Sequence, residues 1–287
     1  MGELEDVMKQ KIQKFGGAMF TPVLLFAFAG IMVGLATTCM NPQIMGDLAN
    51  PESIWYKFWA MISAGANTVF NQLPVLFAVS LPIALAKKQN ARACMETFVI
   101  YITFNYFVSE FLNQFGSSLG FDFAAEVGGT SGLAMIAGIK TLDTGMIGAI
   151  LIAGIAIYLH NKFYDKELPD YLGVFKGSAF VVMIGFFVMI PVAILIALVW
   201  PHVQSALLGL QGFFKASGAA GLFTYNLLQK LLLPFGVHHF IYAPVLFDNV
   251  IVDGGTISYW AQHLPDFVNS SKPLIELYPL GGFSNGE

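Results

Sequence analysis

Two long apolar runs without ionisable side chains constrain the fold of this chain more than any other feature. One run extends from Ala18 to Thr38 and the other from Gly177 to Trp200. A helix needs about 20 consecutive apolar residues to cross the hydrocarbon core of a bilayer. Backbone polar groups inside that core must be paired within the protein, and a helix pairs its own. The two runs therefore predict transmembrane helices.

The overall composition agrees with a membrane protein and argues against several other classes. Of the 287 residues, 56% are hydrophobic and 11% are charged, whereas about 25% charged residues is usual for soluble domains. The net charge of −4 offers no basic surface for nucleic acid. Cys39 and Cys94 share no short motif, so the sequence indicates no disulfide framework, no metal site and no cofactor. The polar N-terminus lacks a cleavage site after the first apolar run, so a signal peptide is not expected.

Three further apolar stretches bring the predicted number of spans to about five. Trp59–Ala86 contains two prolines and several amides, which predicts a broken or kinked helix. Cys94–Leu112 and Gly145–Leu159 follow. Pro191 predicts a kink in the last span, which membrane helices tolerate when neighbouring groups satisfy the freed carbonyl. We therefore expect an all-α, polytopic transmembrane protein with kinked spans.

The distribution of basic residues predicts the orientation of the spans. Three basic residues precede the first span, and the loops after the first four spans carry one, three, none (residues 113–130) and three. Cytoplasmic loops of membrane proteins are enriched in lysine and arginine. The alternation therefore predicts a cytoplasmic N-terminus.

A pair of adjacent histidines is the strongest candidate for chemistry. His238 and His239 follow Pro234 and Gly236 in a short, interrupted apolar stretch. Ionisable groups at membrane depth are commonly functional, and irregular backbone at that depth lines a cavity or is buried in protein. An imidazole can hydrogen-bond a sugar hydroxyl or act as a general base. A structural turn is the alternative that spacing alone leaves open.

Several other polar residues allow two interpretations. Lys140 and Asp143 lie three residues apart and could pair on one helix face, or they could be an interfacial lysine and a helix cap. Asn67 and its neighbouring amides in the second span could line a polar cavity or join helices. Glu96 and Glu110 lie near the ends of the third span, where we expect exposure at the interface.

Several motifs resemble the alpha-glucoside branch of the membrane (IIC) subunits of the bacterial phosphotransferase system, within the glucose superfamily. The similarity covers nearly the whole chain. The motifs are Phe15–Phe26, Leu81–Lys87, Arg92–Cys94, Asn105–Phe107, Ala137–Thr144, Leu168–Pro169, Gly236–Tyr242 and Tyr259–Leu264.

The resemblance implies a function and a site. Such subunits carry maltose, related alpha-glucosides or glucose across the inner membrane, and the sugar is phosphorylated on its 6-hydroxyl by a phosphocysteine of a IIB domain that IIA and HPr supply. His238 or His239 would orient or deprotonate that hydroxyl. The substrate site would also include Lys140, Thr141, Asp143 and Gly236.

The resemblance also implies an organisation in two halves. Residues 1–200 would form the N-terminal half that makes a homodimer, and 201–287 would begin the substrate-binding half with a His-His re-entrant hairpin. The family continues with further spans, a Gly-Ile-Thr-Glu-Pro motif and a B domain with a Cys-Ala-Thr-Arg-Leu-Arg signature. This chain carries none of these, so we expect it to be C-terminally truncated and incomplete as a catalyst.

Two other functions remain as alternatives. An ion- or proton-coupled secondary sugar transporter would use the histidines as a relay, and its uptake would depend on a proton gradient. A non-catalytic membrane assembly factor would bind no sugar. The histidine pair and the Ala137–Thr144 segment favour the phosphotransferase interpretation.

Overall fold

The fold is seen in a computed structural model, which describes residues 2–120, 122–128, 131–232, 245, 252, 256, 259–260, 263, 266–267 and 270–278. The helices are α1 (Gly2–Cys39), α2 (Pro42–Met45), α3 (Ile54–Asn71), α4 (Leu73–Leu85), α5 (Asn90–Phe115), α6 (Gly145–Phe163), α7 (Ser178–Leu232) and α8 (Leu274–Leu277). The strands are β1 (Leu133–Ile136) and β2 (Ile139–Leu142), and the 3-10 turns are Gly46–Ala49, Gly116–Leu119 and Asp170–Phe175. The expected helical membrane architecture is confirmed, with one short hairpin added to it.

Two helices among the described residues are long and apolar enough to cross a membrane. They are Gly145–Phe163 and Ser178–Ala206, and α3 with α4 gives a third if this broken pair counts as one span. A shorter apolar helix, Ala27–Cys39, lies within α1. The break predicted in the second apolar stretch falls at Gln72, between α3 and α4.

The described break in α7 lies at a glycine, beyond the predicted span that contains Pro191. Gly218 has φ 50 and ψ −125, whereas the backbone at Pro191 is helical. Proline has a φ close to the helical value and removes a single donor. A positive φ is accessible chiefly to glycine, because a Cβ would clash there. Gly218 is therefore the residue that can interrupt α7.

The chain divides into two compact units. The described part of the first unit contains residues up to 21 and 73–209, and that of the second contains 22–72, 210–232 and the described residues beyond 244.

The core of the first unit is built by α4, α5 and α6, which pack against one another. Large buried side chains such as Phe77 and Phe104 fill it. On α6, Gly145, Ala149 and Ala153 are buried at intervals of four residues. Small residues at this spacing let the backbones of neighbouring membrane helices approach closely.

The second unit contains an aromatic cluster. Tyr259 stacks on Tyr278 with 5.3 Å between ring centroids, and Trp260 and Phe267 pack against the same group. The Tyr278 hydroxyl donates to the Thr256 carbonyl over 3.3 Å. Burial raises the pKa of Tyr278 to about 12, because a phenolate is poorly solvated there.

Candidate functional site

A two-stranded antiparallel hairpin occupies the segment that contains three of the candidate site residues. Leu133 pairs with Leu142 and Ile136 pairs with Ile139, which leaves Ala137 and Gly138 as a two-residue turn. Both turn residues have positive φ, 49 and 82. Such primed turns match the right-handed twist of the strands. The strand β2 packs against α5 in the first unit.

Two side chains of α7 close the base of this hairpin. The Asp143 amide donates to the Gly132 carbonyl over 2.9 Å. The Gln204 side-chain amide donates to the carbonyls of Gly132 and Asp143 over 3.1 and 2.9 Å. The Trp200 indole also donates to the Asp143 carbonyl, over 2.6 Å. The two ends of the hairpin are thereby joined to one face of α7, since these side chains lie four residues apart.

Lys140 lies on β2 and bonds to the preceding loop. Its ammonium donates to the Ala125 carbonyl over 2.6 Å and lies 5.3 Å from the centroid of the Phe123 ring. The idea that Lys140 and Asp143 share a helix face is wrong, because the segment is a strand. The Asp143 carboxylate instead accepts from the Gly145 amide at the start of α6, over 3.2 Å. This contact agrees with the alternative interpretation, in which Asp143 caps the start of a helix.

Thr141 faces the interior of the first unit. It is completely buried, and its Oγ1 has no hydrogen-bond partner within the described part of the chain. The same is true of Thr97 Oγ1 and Asn105 Oδ1 on α5. Buried polar atoms nearly always have a partner, because desolvation without one costs about 1–3 kcal/mol.

A buried acid–histidine pair joins α5 to α6. His160 Nδ1 lies 2.6 Å from Glu96 Oε2, and the two side chains are 1% and 2% exposed. His160 Nε2 lies 2.8 Å from the Lys88 carbonyl. The expectation that Glu96 is exposed at the interface is wrong, whereas Glu110 is exposed.

The contacts of His160 determine where its protons lie. A carbonyl oxygen only accepts, so Nε2 must carry a hydrogen and donate it to Lys88. One further proton is then shared between Nδ1 and the carboxyl group of Glu96. The pair is neutral in total whichever atom holds that proton, and a neutral pair is far cheaper to bury than one isolated charge.

Two further contacts join the turn between α4 and α5 to the end of α6 and the residues after it. The Lys87 amide donates to Asn161 Oδ1 over 2.8 Å. The Lys88 ammonium bonds to Asp165 over 2.7 Å, and this hydrogen bond raises the pKa of Lys88. Gln89, which precedes α5, has φ 48, a conformation that a non-glycine residue retains only when surrounding contacts enforce it.

The other sequence candidates are distributed as follows. Gly236, His238 and His239 lie outside the described residues. Asn67 donates to the Ser63 carbonyl over 2.9 Å, within its own helix. In the part of the chain that the structure describes, no three or more histidine, cysteine or acidic side chains gather as a metal site.

Sequence reasoning missed the Glu96–His160 pair, although a signal was present. Ile100, Phe104 and Val108 are all buried, and Glu96 precedes them at the same interval of four residues. An interval of four keeps side chains on one helix face. Extending this apolar stripe backward by one step would have placed Glu96 in the core, but its position near the end of the predicted span argued for the interface.

Helices of membrane-spanning length and an apolar helical core define the class as a polytopic membrane protein. A family model described as "Phosphotransferase system, EIIC" matches residues 16–276. The chain belongs to this family.

Curated relatives cover almost all of the chain. It is 56% identical over 277 residues to the PTS system maltose-specific EIICB component of Bacillus subtilis (strain 168), covering 96% of this chain and 53% of that protein. It is 51% identical over 278 residues to the PTS system alpha-glucoside-specific EIICB component of Leptotrichia buccalis, covering 96% and 52%. The Phosphotransferase IIC component GlvC of Escherichia coli (strain K12) is 49% identical over 278 residues, covering 96% and 76%. The chain thus spans about half the length of the first two relatives.

Proposed function

We propose that the protein containing this chain carries a maltose-like alpha-glucoside or glucose across the bacterial inner membrane and phosphorylates its 6-hydroxyl on arrival. The chain would supply the front part of the membrane component. The observation that carries this proposal is the 56% identity, over 277 residues, to a maltose-specific EIICB component. Membership of the EIIC family favours group translocation over a proton-coupled secondary transporter.

The expected partners follow from the same proposal. A IIB domain with a phosphocysteine would donate the phosphoryl group, and IIA and HPr would supply it. Two copies of the protein would form a homodimer through residues 1–200, and the substrate-binding half would begin at 201.

The cytoplasmic N-terminus is also part of the proposal, and the first unit supports it. The charge rule assigns the α4–α5 turn and the loop after α6 to the same side of the membrane. The bonds from Lys87 to Asn161 and from Lys88 to Asp165 bring these two basic segments together. Segments in direct contact must lie on one side, as that assignment requires.

The proposed site residues come from two segments of the chain. His238 or His239 would orient or deprotonate the 6-hydroxyl, and Gly236 would contribute to substrate binding. Lys140, Thr141 and Asp143 remain proposed contributors to substrate binding. The contacts of Lys140 with Ala125 and of Asp143 with α6 support a positioning role for this segment.

The test is phosphoenolpyruvate-dependent phosphorylation of radiolabelled maltose, methyl-alpha-glucoside and glucose. Membranes would carry the full-length protein and the general phosphotransferase proteins, with His238→Gln and His239→Gln variants alongside. His202→Gln is the matched control, because His202 is exposed. We expect phosphorylation that one variant of the pair abolishes and the control retains. Uptake without phosphorylation that a protonophore collapses would refute the proposal.

A further inference from the structure

The loop between α6 and α7 has a defined place relative to the membrane. It comprises residues 164–177 and joins the two helices that are long and apolar enough to span. A short connection between two consecutive spans leaves and re-enters the bilayer on the same side. We therefore expect the loop to lie near the level of the lipid headgroups.

The ends of this loop lie close together. The Tyr164 ring approaches Gly177 so closely that a Cβ added at that glycine would lie 3.6 Å from it. Tyr164 also accepts a hydrogen bond of 2.7 Å from Arg92, and the adjacent Asp165 pairs with Lys88. These contacts fix the base of the loop, so its central residues project away from the helices.

The projecting part presents three exposed apolar side chains beside exposed charged ones, which include Asp170 of the same turn and Glu167. Within the 3-10 turn Asp170–Phe175, Tyr171 is 83% exposed and Val174 is 91% exposed. Residues three apart in a 3-10 helix lie on the same side. Phe175, at the end of the turn, is 45% exposed. These three residues form an exposed ridge, which we call the apolar turn.

Lysines surround the apolar turn in a way that suits a membrane interface. Lys166 and Lys176 flank it in sequence and are exposed. The Lys162 ammonium lies 5.3 Å from the centroid of the Phe163 ring, and that of Lys166 lies 5.7 Å from it. Lysine packs its methylene stem along apolar surface while its ammonium stays at the polar level. Tyrosine is likewise enriched where headgroups meet the acyl chains.

We propose that the apolar turn inserts into the boundary between headgroups and acyl chains and anchors the α6–α7 connection to the membrane surface. The occupant of this surface is the phospholipid bilayer itself. The ridge lies in the short connection between two helices of spanning length, and the contacts of Tyr164 and Asp165 hold the base of that connection in place. The anchor is independent of which sugar is carried and of how phosphate is transferred.

Spin labels would test the depth of the turn. Val174→Cys and Tyr171→Cys would be labelled in a background carrying Cys39→Ser and Cys94→Ala, in the full-length protein reconstituted into phospholipid nanodiscs. Glu167→Cys is the matched control, since Glu167 is exposed in the same loop. Spin labels at 171 and 174 should collide more often with molecular oxygen, which concentrates in the bilayer, than with a water-soluble nickel chelate. The label at 167 should collide more often with the nickel chelate.

A second measurement avoids the cysteine-free background. Val174→Trp and Glu167→Trp variants would be compared with the parent protein in lipids brominated near the carbonyl. Added quenching at 174 and not at 167 is expected. If labels and tryptophans at 171 and 174 were as accessible to water as those at 167, the proposal would be overturned.

Discussion

Replacing Glu96 by alanine would leave the buried imidazole of His160 with an unpaired ring nitrogen. Nε2 would still donate to the Lys88 carbonyl, so the remaining proton of a neutral ring stays there. Nδ1 would then face a cavity without a hydrogen-bond donor. Leaving a buried polar atom without its hydrogen-bond partner typically costs about 1–3 kcal/mol. We expect a loss of unfolding free energy of that size for Glu96→Ala.

Glutamine at the same position should be tolerated far better. Its amide can donate to an unprotonated Nδ1 while Nε2 continues to donate to Lys88, so both bonds of His160 survive without charge. The expected loss for Glu96→Gln is about 1 kcal/mol, the size of one ordinary hydrogen bond. Glutamine has nearly the same shape as glutamate and keeps the hydrogen bond. The difference in unfolding free energy between Glu96→Ala and Glu96→Gln therefore reports the loss of the side chain with its hydrogen bond, apart from the loss of the charge.

The assay is unfolding of the purified protein in detergent, followed by tryptophan fluorescence, for a double-mutant cycle of Glu96→Ala and His160→Ala. Side chains that act as a pair show interaction energies of up to about 3 kcal/mol, and independent ones add to within about 0.5 kcal/mol. We expect coupling of about 2 kcal/mol. Additive effects, or equal losses for the alanine and glutamine variants, would refute the pairing argument.

Three further predictions concern the hairpin and the aromatic cluster. Ala137→Gly should raise the unfolding free energy by about 0.5–1 kcal/mol, because a positive φ strains alanine by more than glycine loses in chain entropy. Gln204→Ala should lower the unfolding free energy by about 1–3 kcal/mol, since two half-buried carbonyls each lose one of their two donors, and Gln204→Glu should lower it at least as much, because an ionised carboxylate has no hydrogen to donate. Tyr278→Phe should remove the highest-pH phase of tyrosine ionisation, which near-ultraviolet absorbance follows. Since the folded pKa of Tyr278 is about 12 and the usual value is about 10, its stabilising effect is complete below pH 10 and is lost as the pH rises toward 12.

Each of these predictions has a result that would contradict it. Destabilisation by Ala137→Gly would show that the turn does not strain alanine. A Gln204→Glu variant as stable as the parent would show that the amide donor is dispensable. An unchanged titration curve in Tyr278→Phe would mean that another of the tyrosines ionises at the highest pH.

The apolar periodicity and run length of this chain were sufficient to predict its helices. The stretch Trp59–Ala86 also indicated a break in its helix, because polar amides and prolines interrupt an otherwise apolar run. The hairpin was not predictable in the same way. β1 reads Leu-Ala-Met-Ile, three residues of which are good helix formers, and its turn is Ala-Gly instead of the Asn-Gly that usually signals a hairpin. Packing of β2 on α5 and the two donors of α7 outweigh that local preference, and neither is visible in a short window.

For the candidate site, the sequence identified segments better than it identified contacts. It singled out Lys140 and Asp143, but their partners Ala125, Trp200 and Gln204 lie 15 to 61 residues away, beyond the reach of any local pattern. It placed Glu96 at the membrane interface because the residue lies near the end of a predicted span. The imidazole of His160, which pairs with Glu96, is 64 residues away in sequence. A local pattern therefore could not show that this carboxylate has a buried partner.

Gly132 and Gln204 impose a joint rule on how this family can vary. Gly132 has φ +69, which L side chains rarely adopt, and a Cβ there would lie 2.8 Å from Gln204 Oε1, so a larger residue would strain the backbone and require the end of the Gln204 side chain to move. A relative that lacks this glycine should therefore also carry a shorter side chain at position 204. It would then lack the amide that joins the two ends of the hairpin. A relative that replaces the glycine alone should be less stable, because the Gln204 amide would be displaced from the two carbonyls that it joins.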